Sequence, residues 1–252
     1  MLNIVRHMLL LINTGRINNN MCGLFGGVSS TLNKEEQEII RRVAGLSFLR
    51  GTDSTGIVTL TTSKKRINYD IKKELMDPYG FMYNPKTVKL MDHNNLCAVI
   101  GHCRSATIGT VNLDNAHPYS FSNIVGVHNG TVHSLADRAK QLSKTDSYVL
   151  YESINNLGIK EAIKTFGMGA YALVWFDKTK NTLNFLRNYA RPLYMVKGNG
   201  TIFWASEKEF LSLVLDRVIG KITFGVPEIL SPDTLVSIKL PYTGVVSVDK
   251  LE

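Results

Sequence analysis

Cysteine is scarce in this sequence. Cys22, Cys97 and Cys103 make an odd set of three with no C-x-x-C pair. That excludes a disulfide framework and offers no zinc-ligand spacing, so a reducing, cytoplasmic setting is expected, with no metal and no cofactor. Long apolar runs are missing near the start: residues 8–12 are apolar for only five positions, well below a membrane span and short for a signal-peptide core. No membrane association is therefore expected. Residues 1–21 hold no acid, and residues 22–252 show no internal repeat, linker or composition break. The net charge is +8, yet the densest basic runs, Lys64-Lys65-Arg66 and Lys72-Lys73, lack interleaved aromatics. A solvated basic face is expected there, and a nucleic-acid platform is not.

What is present is ordinary globular composition, 44% hydrophobic and 20% charged, in a chain of 252 residues that can bury a full core. One domain over residues 22–252 is the simplest organisation. Residues 1–21 read as a dispensable extension, either a short propeptide or upstream sequence from a misplaced start. The second account is favoured because Met21 directly precedes Cys22. Trimming at Met21 leaves Cys22 with a thiol and a free α-amine on one residue. Such an amine, with a pKa of about 8, can take the thiol proton, so one residue can serve as nucleophile and base. Without residues 1–21 the chain loses Arg6 and Arg16, and its charge falls from +8 to +6.

Residues 23–29 read as a short buried strand. Asn33 is a plausible cap for an amphipathic helix, with Glu35 and Glu36 in its first turn. Residues 57–62 alternate as a strand, and residues 63–95 suggest a strand followed by an irregular excursion. Residues 96–101 form a buried strand with Arg104 just after it, and 115–118 a loop. Residues 124–127 form another strand, ending at His128-Asn129-Gly130, where Asn-Gly is a turn signal. Thr145-Asp146-Ser147 caps a helix to about 154, and residues 159–166 suggest a second. Four strands (169–176, 182–187, 193–196, 202–205), a helix opened by Ser206-Glu207-Lys208-Glu209, and terminal strands from Thr234 complete the chain. Hairpin-linked strands with clustered helices suit an α+β fold of antiparallel sheets.

Separated segments resemble one family in order. Cys22-Gly23-Leu24-Phe25-Gly26 is similar to the amino-terminal signature of class-II glutamine amidotransferases, and residues 50–56 to their R-G-x-D-S-x-G turn. Residues 101–109 with Asn115-Ala116-His117-Pro118 resemble the G-H-x-R-x-A-T-x-G and N-A-H-P block. His128-Asn129-Gly130 resembles the H-N-G oxyanion loop, and Thr145-Asp146 the downstream acidic turn. The wording is nearest to the glutaminase domain of glucosamine-6-phosphate synthase. The resemblance implies an N-terminal-nucleophile hydrolase fold, a four-layer αββα sandwich with two stacked antiparallel sheets, and a type-2 glutamine amidotransferase domain over 22–252.

It also implies chemistry. Cys22 attacks the side-chain amide of L-glutamine, a thioester forms and is hydrolysed, and the ammonia passes to an acceptor. The oxyanion asks for donors already in place, which Asn129 and Gly130 supply. Arg104 has fork geometry for the α-carboxylate and Asp146 the charge for the α-ammonium, with Thr107 and His117 beside them. Arg50 and Asp53 read as wall and loop-fixing residues. His102 and His117 are expected to be structural, satisfied by hydrogen bonds, and Cys97 and Cys103 to be buried bystanders. Ser105 stands where the family has an aromatic residue, and Ile108 where it often has histidine. Because the familiar enzymes carry a second domain, this chain is expected to work with a separate synthase subunit. The alternatives are a free-standing amidase on another small γ-glutamyl compound and a non-catalytic sensor module.

Overall fold

The computed structural model describes residues 21–64, 66–106, 109–167, 169–218, 224–244 and 246–251. Among these, strands β1 (Gly23–Val28), β2 (Ser54–Ser63), β3 (Arg66–Glu74), β4 (Leu96–Arg104), β9 (Tyr194–Gly198), β10 (Thr201–Ala205) and β11 (Glu228–Ile229) build one sheet in the order β11-β9-β10-β1-β4-β2-β3. A second sheet runs β13-β12-β8-β7-β6-β5. Its strands are β5 (Tyr119–Ser120), β6 (Ile124–Val132), β7 (Gly169–Asp177), β8 (Thr182–Arg187), β12 (Thr234–Lys239) and β13 (Val246–Lys250). Every pairing is antiparallel.

Side-chain alternation stacks the sheets. In β7 the residues Ala172, Val174 and Phe176 enter the core between the sheets, while Tyr171, Leu173 and Trp175 pack toward helices. In β1, Leu24 and Val28 face that inner core and Phe25 the opposite side. Strands apolar on both faces are what a sheet buried on both sides requires. Helix α1 (Lys34–Leu46) is started by a capping box between Asn33 and Glu36. It lays Ile39, Ile40, Val43 and Ala44 on the outer face of the first sheet, beside Phe81 and Met82 of α2 (Pro78–Tyr83) and Met91 of α3 (Pro85–Met91). On the second sheet, α4 (Ala136–Gln141), α5 (Asp146–Leu157) and α6 (Ile159–Ala162) contribute Ala139, Val149, Leu150, Tyr151, Ile154 and Ala162. Helix α7 (Lys208–Val218) completes the first helical layer through Phe210, Leu211 and Val214. The result is the expected αββα sandwich. Each fully buried aliphatic or aromatic side chain contributes about 1.5–3 kcal/mol.

Four expectations need correction. Residues 75–95 are not irregular: Pro78 and Pro85 stand at the first positions of α2 and α3, capped by Asp77 and Asn84. Proline lacks an N–H that would be unpaired there anyway, so it starts these helices. His128-Asn129-Gly130 is not a turn, because β6 continues to Val132, with Asn129 opposite Ala172 and Gly130 opposite Tyr171. Arg104 does not follow β4 but ends it. Lys73 is not on a solvated face: its ammonium donates to the Ala116 carbonyl at 3.0 Å, and Lys72 pairs with Glu74. No helix among the described residues is long and apolar enough to cross a membrane.

Candidate active site

Cys22 immediately precedes β1, and the pairing of Gly23 with Cys103 brings it beside Arg104 at the end of the neighbouring strand. From the second sheet, β6 brings His128 and Gly130, and the first turn of α5 brings Asp146 and Ser147. These residues, with Ser105, His117 and Thr145, line one small cavity of about 20 Å³. That is room for about one water molecule. An amino acid fits only if lining side chains withdraw.

The arrangement is held from several directions. The Arg50 Nε donates to the Cys22 carbonyl at 2.8 Å, and its guanidinium pairs with Glu207. Gly51 is needed because a Cβ there would stand 2.4 Å from the Arg104 carbonyl carbon. Asp53 accepts the Ala106 N–H at 2.8 Å, and its own N–H donates to the Arg104 carbonyl at 3.0 Å. Arg104 directs its guanidinium to the carbonyls of Thr110 (3.1 Å) and Gly109 (3.4 Å). Thr145 caps α5 through the Tyr148 N–H, which leaves Asp146 free of that task; its carboxylate accepts the Val132 N–H at 2.8 Å. Gly130, at φ +149°, lies so close to β7 that a Cβ would stand 1.8 Å from the Ala170 oxygen. No other residue suits that backbone.

Cys22 is the only one of the three cysteines with solvent access. Burial pushes its thiol up, opposed by the guanidiniums of Arg104 and Arg50. The thiol donates to the Ser105 carbonyl at 3.5 Å. A thiol held this way needs a base to become a nucleophile. Cys97 and Cys103 are fully buried, donate to the carbonyls of Leu60 and Ser47, and are pushed up to about 12 by burial.

Of the residues expected in the site, Cys22, Arg104, Gly130, His117 and Asp146 share the cavity. Asn129 does not line it; its side chain points toward Ser206. Thr107 lies outside the described residues. His102 and His117 stack with ring centroids 4.0 Å apart, and among the described residues their four ring nitrogens lack the expected hydrogen-bond partners at normal geometry. Burial carries His102 down to about 3 and His117 well below its ordinary value, so both are neutral. Their cohesion comes from ring packing, with His117 also edge-on to Tyr119.

Sequence reasoning missed three supporting residues. Ser147 contacts His128 Nδ1 at 2.8 Å, Ser206 accepts the Leu24 N–H at 2.9 Å, and Glu207 pairs with Arg50. Nothing local marks Ser206, which is 182 positions from Leu24. Glu207 read only as an acid at a helix start.

No family model matches the chain. It is 28% identical over 218 residues to glutamine–fructose-6-phosphate aminotransferase (isomerizing) of Helicobacter pylori, covering 79% of this chain and 34% of the relative. The enzyme of that name from Pyrococcus horikoshii is 30% identical over 207 residues, covering 74% and 32%. The chain thus spans about a third of the length of the curated relatives it matches. Among solved structures, glutamine phosphoribosylpyrophosphate amidotransferase from B. subtilis superposes at TM-score 0.63 with 22% identity, over 92% of this chain and 49% of that one. A structure described as the allosteric regulatory enzyme of purine biosynthesis gives TM-score 0.66, 21% identity and the same coverage. In sequence the chain is similar to class-II glutamine amidotransferases, and its fold is the N-terminal-nucleophile hydrolase fold of the amidotransferases among the solved structures.

Proposed function

We propose that this domain hydrolyses L-glutamine to L-glutamate and ammonia through a thioester on Cys22, and that the ammonia goes to a separate acceptor enzyme. The observation that carries this is the meeting of Cys22, Arg104, Gly130 and Asp146 on one cavity, although they come from both sheets and a helix. In this reading Arg104 binds the α-carboxylate and Asp146 the α-ammonium, with Thr107 and His117 as further substrate-binding residues. The side-chain amide carbon is left at Cys22. The α-amine of Cys22 takes the thiol proton, sulfur attacks the amide carbon, and the protonated amine then supplies a proton to the departing nitrogen. Water cleaves the thioester to glutamate and restores the thiol. The oxyanion of each step is held by the Asn129 amide and the Gly130 N–H. The active form begins at Cys22, because an amide nitrogen, as in a chain that retains Met21, cannot take a proton.

The test compares protein beginning at Cys22 with protein in which residues 21–22 stay joined. Glutamate release is expected from the first and not the second, and Cys22→Ala should abolish it. Equal rates from both forms would remove the α-amine from the mechanism. Activity on another γ-glutamyl amide in place of glutamine would reassign the substrate.

A further inference from the structure

The turn between β10 and α7 belongs to none of the motifs that point to glutamine chemistry, yet it reaches three parts of the site. Ser206 is fully buried. Its hydroxyl oxygen takes the Leu24 N–H at 2.9 Å and the Asn129 side-chain N–H at 3.4 Å, and its backbone N–H returns a bond to the Leu24 carbonyl at 2.9 Å. The next residue, Glu207, pairs with the buried guanidinium of Arg50, whose Nε holds the Cys22 carbonyl. We propose that Ser206-Glu207 is a positioning dipeptide for glutamine hydrolysis: Ser206 orients the Asn129 amide, and Glu207, through Arg50, fixes the peptide of Cys22. The inference rests on the proposed glutaminase reading.

The physical argument is one of hydrogen-bond capacity. A hydroxyl oxygen has two acceptor positions, and here Leu24 and Asn129 fill both. In this arrangement the Asn129 amide presents its nitrogen to Ser206, which holds the plane of the group. Its second N–H remains for a developing negative charge. Without the hydroxyl the amide can turn over and offer its oxygen instead, which would repel that charge. Glu207 answers a different need. Arg50 has no exposed side-chain surface, so its charge requires a partner to stay buried beside Cys22.

The test is steady-state glutamate release by protein beginning at Cys22, normalised to the folded fraction given by urea unfolding so that misfolded protein is not counted. Ser206→Ala should lower kcat by roughly 10- to 100-fold while KM for glutamine stays within about threefold, since Arg104 and Asp146 hold the far end. Ser206→Thr, which keeps the hydroxyl, should recover most of the rate. Combining Ser206→Ala with Asn129→Ala should cost no more than Asn129→Ala alone, because both act through one group. Glu207→Gln should also lower kcat more than it changes KM, and it serves if Ser206→Ala does not fold. A normal kcat for Ser206→Ala, or multiplicative losses in the double variant, would overturn the role of Ser206; a normal kcat for Glu207→Gln would overturn that of Glu207. A wild-type protein that releases no glutamate would instead overturn the glutaminase reading, and this inference with it.

Discussion

Arg104 and Asn129 are both polar and both buried, yet substitutions at them should separate cleanly. Arg104→Lys keeps the charge and loses the planar fork, so KM for glutamine should rise far more than kcat falls. Asn129→Ala should do the opposite, because the oxyanion forms only near the transition state. Removing one such donor typically lowers kcat about 10²–10³-fold, roughly 3–4 kcal/mol. Steady-state kinetics decide the matter: a normal kcat with a weakened KM for Asn129→Ala would take that amide out of the chemistry. The three motif histidines have a different part. His102, His117 and His128 are fully buried and held neutral, burial being the main cause for each. His117 and His128 line the cavity, and His102 stacks on His117.

Strands β6 and β7 carry a constraint that belongs to their pairing and not to any one side chain. Gly130 permits the two backbones to approach more closely than any Cβ allows. Gly130→Ala should therefore push β6 from β7 beside Asn129, destabilising the domain by about 1–3 kcal/mol of backbone strain and lowering activity together. Urea unfolding with parallel glutamate assays checks this; an unchanged unfolding midpoint would contradict the backbone crowding. The Asn-Gly pair carries a genuine local turn signal. Nine residue pairs between β6 and β7 override it, carrying the ladder to Val132 and Gly169. The prolines at 78 and 85 misled in the opposite sense, reading as breakers where they start helices.

For the domain as a whole, the buried histidines predict how stability varies with pH. Their folded values lie below the ordinary 6.5, so the unfolded chain takes up protons that the folded one refuses. Stability should fall as pH drops below about 6.5, each histidine adding a slope of up to about 1.4 kcal/mol per pH unit. For His102 the loss continues until it protonates in the folded state at about 3. Urea midpoints at pH 7.5 and 5.5 measure the effect, and His102→Asn should flatten the curve. A curve that the substitution leaves unchanged would show that His102 titrates normally in the fold.

The strand periods and hairpin order are properties of neighbouring residues, so an α+β fold of antiparallel sheets was legible without coordinates, whereas the sandwich and the roles given to Cys22, Arg104 and Asp146 came from resemblance to a family. Helix α1 was also legible, since its capping box spans only Asn33 to Glu36. Contacts between distant segments were not. Ser206 meets Leu24 across 182 positions, and Glu207 meets Arg50 across 157, because strand order sets β10 beside β1. The same holds for Lys73, a surface charge by composition that is bonded across 43 positions to the carbonyl of Ala116. Local sequence carries propensity and periodicity. Which distant groups share a cavity depends on how the two sheets stack, and that is a property of the whole core.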